Sequence, residues 1–139
     1  MIRKYKEIEI PILLDIWEQA SKVAHPFLDA EFSQMVKKAM SEMYLPNSDT
    51  WVYEESNVIV GFISMAENEI GGLFVYPKHH SKGIGTALIN HINQFHTTLE
   101  VEVFEQNEIG KPFYEKYGFK KINEYIHEES NCNVLRMRY

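Results

Sequence analysis

The 139-residue sequence predicts one α/β domain built on a mixed β-sheet, with elements in the order β-α-α-β-β-β-α-β-α-β-β. Apolar residues at helical spacing fill two stretches near the N-terminus. Runs rich in β-branched and aromatic residues, bounded by polar turns, follow between residues 50 and 75. Helix and strand patterns then alternate to the end. No repeat or linker divides the chain, so we expect a single domain over residues 1–139.

The N-terminal third is predicted to contain a short strand and two helices. Residues 2–5 have strand character, and Pro11 suits the first turn of a helix because its missing N–H costs nothing there. The helical pattern stops at His25-Pro26, and Asp29 is a suitable N-cap for a second helix that ends near Pro46. The predicted inner face of the first helix consists of Leu13, Ile16, Trp17, Ala20, Val23 and Ala24. That of the second consists of Phe32, Met35, Val36, Ala39, Met40 and Met43.

The rest of the chain supplies six predicted strands and two helices. Strands are expected at 50–54, 58–66 and 70–75, at 99–103, and finally at 119–127 and 134–139. One helix follows the glycine-bearing loop at residue 83, and another covers 112–117, where Gly118 acts as the C-cap. The predicted inner face of the first of these helices consists of Ile84, Ala87, Leu88, Ile92 and Phe95.

Composition narrows the classes of function. The net charge of −6 and the pI near 5.5 argue against nucleic-acid binding, which needs a basic footprint, and favour a cationic substrate weakly. No apolar run is long enough to cross a membrane, and the N-terminus lacks the pattern of a signal peptide. Cys132 has no partner for an internal disulfide, so we expect a cytoplasmic protein.

The loop between residues 76 and 86 has the chemistry of an anion site. A strand leads through His79-His80-Ser81-Lys82 into Gly83-Ile84-Gly85, which opens a helix. Backbone N–H groups at a helix start bind phosphate, and glycine lets a pyrophosphate approach because no Cβ intervenes. A P-loop is excluded because Gly85-Thr86 lacks the required lysine, and a dinucleotide fingerprint is excluded because Leu88 occupies the third glycine position.

A second segment, Asn107 to Phe119, reads Asn-Glu-Ile-Gly-Lys-Pro-Phe-Tyr-Glu-Lys-Tyr-Gly-Phe directly after a strand. Together with the glycine loop it resembles the GNAT superfamily of N-acetyltransferases, and the motifs span about residues 58–119. His25-Pro26-Phe27 and the Gly61–Met65 stretch are similar to a group of small bacterial members. The resemblance implies a seven-stranded, mostly antiparallel sheet flanked by about four helices, and transfer of an acetyl group from acetyl-CoA to a primary amine.

The resemblance also implies how acetyl-CoA is held. The backbone of Leu73, Phe74 and Val75 would pair with the pantetheine arm, and Asn107 would hydrogen-bond it. Phe113 and Tyr117 would pack near the cofactor. The pyrophosphate would lie on His80, Ser81, Lys82, Gly83, Ile84, Gly85 and Thr86. Two positions depart from the family pattern, because His80 replaces a Gln or Arg and Ser81 replaces a Gly.

Catalysis in this family implies that Tyr114 protonates the departing CoA thiolate, although a tyrosine on such a helix also suits simple packing against the sheet. The amine must be neutral to attack directly, and a lysine amine near pKa 10.4 needs more help from a base than an α-amine near 8. Glu102, Glu69 and His25 are the candidate bases, and His25 alternatively caps its helix.

The acceptor stays open at this point, since a small-molecule amine and a protein or peptide amine fit equally well. The rival function is a catalytically inactive CoA-binding regulatory module, which His80 mildly favours, and a third is a structural interaction domain. No metal site is expected, because adjacent His79 and His80 diverge and no further ligand completes a set. A homodimer through the exposed last strands is compatible with the pattern.

Overall fold

The seven strands of the sheet lie in the order β1-β2-β3-β4-β5-β7-β6, and the computed structural model describes all residues 1–139. All neighbouring strands are antiparallel except β4 and β5, which run parallel. The strands are β1 Ile2–Lys4, β2 Asp49–Glu55, β3 Val58–Ala66, β4 Glu69–Val75, β5 Glu100–Phe104, β6 Lys120–His127 and β7 Cys132–Arg138. The predicted element order, the mixed sheet and its seven strands are confirmed.

Helices cover both faces of the sheet. They are α1 Ile10–Ala24, α2 Ala30–Ala39, the single turn α3 Leu45–Asn47, α4 Ile84–Asn93 and α5 Gly110–Tyr117. A π-helical turn, Met40–Tyr44, joins α2 to α3, and 3₁₀ turns cover Glu7–Glu9 and Pro77–His79. Asp29 caps α2 as predicted, its carboxylate accepting the backbone N–H of Phe32 at 2.7 Å. No helix is both long and apolar enough to span a bilayer.

The parallel contact between β4 and β5 is very short. It consists of the pairs Glu69–Glu100 and Ile70–Val101. On its other edge β4 pairs with β3, where the register shifts because Ser64 lies opposite Gly72 while Met65 lies opposite Ile70. Gly71 is therefore an extra residue in β4, and such a bulge bends a strand and increases its twist. The two strands separate directly after it.

Two apolar clusters, one on each side of the sheet, hold the helices against it. The larger one lies beneath α4 and α5 and includes Leu88, Val101 and Tyr114. The smaller one lies beneath α1 and includes Leu13 and Phe62. The helices on the second face pack mainly on the β1–β4 half of the sheet. Over β5 and β6 this outer, more open face is covered only in part, by His25 and Phe27 against Phe104 and by Phe32 against His127.

Three expectations about the inner faces of the helices are wrong. Met35 and Met43 are exposed rather than packed on the sheet, because no residue of α2 is buried and the π-helical turn changes the direction of Met43. Phe95 lies beyond the end of α4, where it is 61% exposed and stacks on Trp51. Val23, predicted on the inner face of α1, is 47% exposed in the last turn of that helix. The helical segment that follows Asp29 ends at Asn47, which agrees with the end predicted near Pro46.

Candidate active site

The separation of β4 from β5 leaves a strand-shaped opening in the sheet. Beyond Ile70 no strand pairs with the β5-facing edge of β4, so the backbone groups that point to this edge have no strand partner. An extended chain with amide groups, such as a pantetheine arm, satisfies such an edge in the way an added strand does. This is where the sequence predicted that residues 73–75 hold acetyl-CoA.

The loop between β4 and α4 presents free donors beside that opening. Ser81 and Gly83 have φ of 66° and 81°, which curls the chain into the start of α4. The N–H groups of Ser81, Lys82 and Gly83 have no acceptor in the protein, and a helix's first turn has none within the helix. Such convergent N–H groups attract phosphate. Of the remaining loop residues, Thr86 is exposed and Ile84 is buried in the core.

Gly85 is required for a different reason than phosphate approach alone. A Cβ at this position would lie 3.0 Å from the ring of Phe113, which packs on α4 from α5. Tyr117, one turn later in α5, donates to the Asn90 side chain at 2.6 Å. Phe113 and Tyr117 therefore set the spacing between the loop that starts α4 and the helix that carries Tyr114.

The side chain of His80 turns away from the expected phosphate position. Its Nε2 lies 2.9 Å from the backbone oxygen of Val75, so Nε2 carries the proton and donates. His80 thus closes the end of β4, and its backbone N–H also donates within the protein, to the Pro77 oxygen at 3.1 Å. The Lys82 ammonium lies on the same loop, 3.2 Å from His79 Nδ1.

Asn107 is buried at the end of β5 and has three hydrogen-bond partners. Its Oδ1 accepts the N–H groups of Ile109 at 3.1 Å and Gly110 at 2.7 Å, which caps the start of α5. Its Nδ2 lies 3.2 Å from His25 Nε2. One amide hydrogen has no partner in the protein, so the amide keeps a donor for the expected contact with the pantetheine arm.

His25 ends α1 and is held on both ring nitrogens. Nδ1 lies 3.1 Å from Ser21 Oγ, and the ring packs edge-on against Phe27 and Phe104. Burial lowers the pKa of His25 to about 4. The imidazole is therefore neutral at physiological pH, but its Nε2 lone pair already accepts from Asn107, which argues against a role as the base.

Tyr114 lies in the larger apolar cluster, between the rings of Phe113 and Phe119. Burial raises its pKa, so the phenol stays protonated at neutral pH. The fully buried side-chain polar atoms without a partner are Trp51 Nε1 and His91 Nε2. The Tyr114 hydroxyl is not among them, and it bonds to no protein group, so its hydrogen-bond donor is unused within the protein.

The three carboxylates on the open face of the sheet differ in their partners. Glu69 is paired with Arg136 through two contacts of 3.2 Å. Glu100 accepts from Arg136 and Arg138, both at 2.9 Å, and these arginines hold its pKa below the usual range. Glu102 forms no ion pair and accepts the Tyr125 hydroxyl. Of the two glutamates predicted as bases, Glu102 is the one without an arginine partner.

An aromatic cluster lies next to Glu102 on the same face. Phe104 follows two residues later on β5, with its ring centroid 5.1 Å from His25, 5.5 Å from Phe27 and 5.8 Å from His127. A separate crevice of about 420 Å³ opens between α1 and α2, and its lining includes Ser21 and His25 but no residue of β4 or β5. The aromatic cluster, rather than the crevice, adjoins the opening in the sheet.

The sequence analysis did not identify Arg136 and Tyr125, the residues that give the three carboxylates different hydrogen-bond partners. These two residues lie on β7 and β6, and the strand registers bring them next to β5, where Arg136 is opposite Glu102. No local pattern carries that register. Ser21 and Phe104 were likewise missed, although the alternation of Glu100, Glu102 and Phe104 on one face of a strand gave a signal for Phe104.

Residues 12–139 match the family model for the acetyltransferase (GNAT) domain. The chain belongs to the GNAT acetyltransferase family. Among GNAT proteins, the peptidyl-lysine N-acetyltransferase YiaC of Escherichia coli is 34% identical over 124 residues, which cover 88% of this chain and 85% of YiaC. YjaB of E. coli, also a peptidyl-lysine N-acetyltransferase, is 32% identical over 120 residues, or 86% of this chain and 81% of YjaB.

Solved GNAT structures agree with the fold. The solution structure of apo YjaB has a TM-score of 0.90 and 27% identity, covering 100% of this chain and 96% of that one. PaiA N-acetyltransferase from Thermoplasma acidophilum, crystallised with coenzyme A, has a TM-score of 0.80 at 18% identity, covering 100% and 98%. This GNAT protein is an acetyl-CoA-dependent N-acyltransferase, and the unpaired strand edge and free loop N–H groups fit acetyl-CoA as its co-substrate.

The buried His25 predicts a loss of stability in mild acid. The unfolded chain binds a proton at this residue below its ordinary pKa of 6.5, whereas the folded protein binds one only near 4. Its contribution to the free energy of unfolding is therefore complete above pH 6.5 and is lost as the pH falls towards 4, by up to about 3 kcal/mol. Urea unfolding at several pH values should show this decline in the wild type and not in His25→Phe. Parallel pH curves for the two proteins would contradict it.

Proposed function

We propose that this acetyltransferase modifies lysine side chains of proteins or peptides, with Glu102 accepting the proton of the attacking amine and Tyr114 protonating the CoA thiolate. The substrate class is that named for YiaC and YjaB, which match most of this chain. The observation that carries the proposal is the position of Glu102, which lacks an arginine partner and lies beside Phe104 at the opening between β4 and β5.

The aromatic cluster suits the lysine side chain. The faces of Phe27 and Phe104 offer apolar surface to a four-carbon stem and attract an ammonium group through the ring quadrupole. The ammonium then reaches Glu102, whose carboxylate is hydrogen-bonded only to Tyr125. Glu102 removes a proton from it, directly or through a water molecule, and the neutral amine attacks the thioester carbon.

Tyr114 acts on the opposite side of the reacting carbon. As the carbon–sulfur bond breaks, negative charge develops on sulfur in a poorly solvated site, which strengthens a hydrogen bond from the phenol. The intact Tyr114 and the free donors of the loop also support an enzyme over an inactive CoA-binding module. We also propose a cytoplasmic location, in keeping with the unpaired thiol of Cys132. A homodimer stays a prediction.

The acceptor class is tested with two peptides that differ only in the amine they offer. One carries a single lysine and a blocked N-terminus, and the other has arginine in place of lysine and a free N-terminus. Release of CoA thiol from acetyl-CoA should be at least about tenfold faster with the lysine peptide. The reason is that the aromatic cluster packs against the lysine stem and Glu102 takes the proton from its ammonium group. Turnover of the second peptide alone would overturn the lysine proposal without touching the family assignment.

Replacement of Tyr114 by Phe tests the general acid. The change keeps the ring between Phe113 and Phe119 and removes only the hydroxyl, so we expect kcat to fall by about 10²–10⁴, or roughly 3–5 kcal/mol of barrier, while CoA binding is retained. Steady-state thiol release at saturating acetyl-CoA measures kcat, and calorimetry measures CoA affinity. An unchanged kcat would remove Tyr114 from the chemical step.

The same substitution at two glutamates tests the base. Glu102→Gln keeps an acceptor for the Tyr125 hydroxyl but cannot take up a proton, and kcat/KM for the lysine peptide should fall by about 10²-fold. Glu69→Gln is the matched control, because Arg136 already neutralises Glu69, and its kcat/KM should stay within about threefold of wild type. Equal losses in the two variants would show that Glu102 contributes through local charge rather than as a base.

A further inference from the structure

The strongest unassigned feature is a buried polar bridge between α1 and α5. It runs from Ser21 Oγ through both nitrogens of His25 to the amide of Asn107, and from there to the backbone N–H groups of Ile109 and Gly110. The bridge joins residues 82 positions apart in the chain. It connects the helix beside the aromatic cluster to the first turn of the helix that carries Tyr114.

The orientation of the Asn107 amide is determined by its partners. Two backbone N–H groups point at one end of the amide, so that end is the oxygen, and the NH₂ group faces His25. His25 Nε2 must then offer a lone pair, which places its hydrogen on Nδ1, directed at Ser21 Oγ. The network thus assigns His25 as a neutral acceptor towards Asn107, with the Nδ1–H tautomer.

The amide is also clamped by packing. A Cβ at Gly110 would lie 2.5 Å from Asn107 Nδ2, so the amide lies directly on the backbone of the first turn of α5. Asn107 is only 7% exposed, and the His25 ring is fixed between Phe27 and Phe104. A buried NH₂ group that lost its acceptor would have to rotate or recruit water, and either change would displace the remaining amide hydrogen.

We propose that His25 is a positioning residue, which holds Asn107 and the first turn of α5 in the geometry that receives the cofactor arm. It acts as a fixed hydrogen-bond acceptor and takes no part in proton transfer. The inference rests on acetyl-CoA as co-substrate and is independent of the acceptor and of the roles proposed for Tyr114 and Glu102.

Two substitutions separate this role from that of a base. His25→Phe keeps a ring between Phe27 and Phe104 but has no acceptor for Asn107. His25→Gln places an amide oxygen near the position of Nε2, so it retains the acceptor, yet it cannot take up a proton at neutral pH. Calorimetry with CoA, which needs no amine acceptor, measures binding, and thiol release measures kcat and KM.

We expect the Kd for CoA and the KM for acetyl-CoA to rise about tenfold in His25→Phe, which corresponds to about 1.4 kcal/mol, and to return within about threefold of wild type in His25→Gln. If CoA binds equally well to all three proteins while kcat is lost in both variants, His25 is a base and the proposal is overturned. Wild-type CoA affinity and kcat in His25→Phe would also overturn it. Failure of the lysine proposal would leave the calorimetric result unchanged, so the two are distinguishable.

A measurement on the unmodified protein covers the case in which a variant does not fold. The ¹⁵N chemical shifts of the His25 imidazole at neutral pH should show a protonated Nδ1 and an unprotonated Nε2. The opposite tautomer, or an imidazolium, would place a hydrogen between Nε2 and the Asn107 NH₂ group and would overturn the assignment.

Discussion

Only two residue pairs join β4 to β5, and the bulge at Gly71 limits the contact to those two. Every other part of the candidate site is placed relative to the resulting gap. One wall is the unpaired edge of β4, which ends at the loop that starts α4. The opposite wall is β5, which carries Glu102 and Phe104 on its outer face and ends at Asn107, where α5 begins. A fully paired sheet would satisfy its own backbone at this position and leave nothing for a peptide-like cofactor to bind.

Charge on the outer face is distributed by the register of β7. Arg136 lies opposite Glu102 in the sheet, but its guanidinium bonds to Glu69 and Glu100. Because these two acids share one planar donor group and Glu100 has Arg138 in addition, the third acid keeps only a phenol as partner. The cluster contains three glutamates but only two arginines, so one carboxylate has no cationic partner although it lies close to both arginine-bearing strands. The same imbalance favours a cationic group at this place on the outer face.

The sequence predicted the order of elements well because helix caps, glycine turns and alternating strands are local signals, as Asp29, Gly118 and Val101 illustrate. The glycine loop and the motif around Tyr114 are local signals of the same kind, and the cofactor contacts that they imply stay a prediction. The features that the sequence did not predict depend on contacts between residues that are far apart in the chain. Glu69 is bonded to Arg136 of β7, and Glu102 is bonded to Tyr125 of β6. The hydrogen bond between His25 and Asn107 joins the end of α1 to the segment between β5 and α5. The exposure of Phe95 was missed because α4 ends two residues earlier, and stacking on Trp51 then decides its position.

The attachment of α2 has a consequence for where this side of the protein is easiest to disturb. None of its residues is fully buried, and a π-helical turn, which relaxes the regular hydrogen-bond spacing, separates it from α3. Displacing α2 therefore exposes less apolar surface than displacing α1, whose Leu13, Ile16 and Trp17 belong to the smaller core cluster. Local opening on this side accordingly begins at α2 and leaves the core beneath α1 packed.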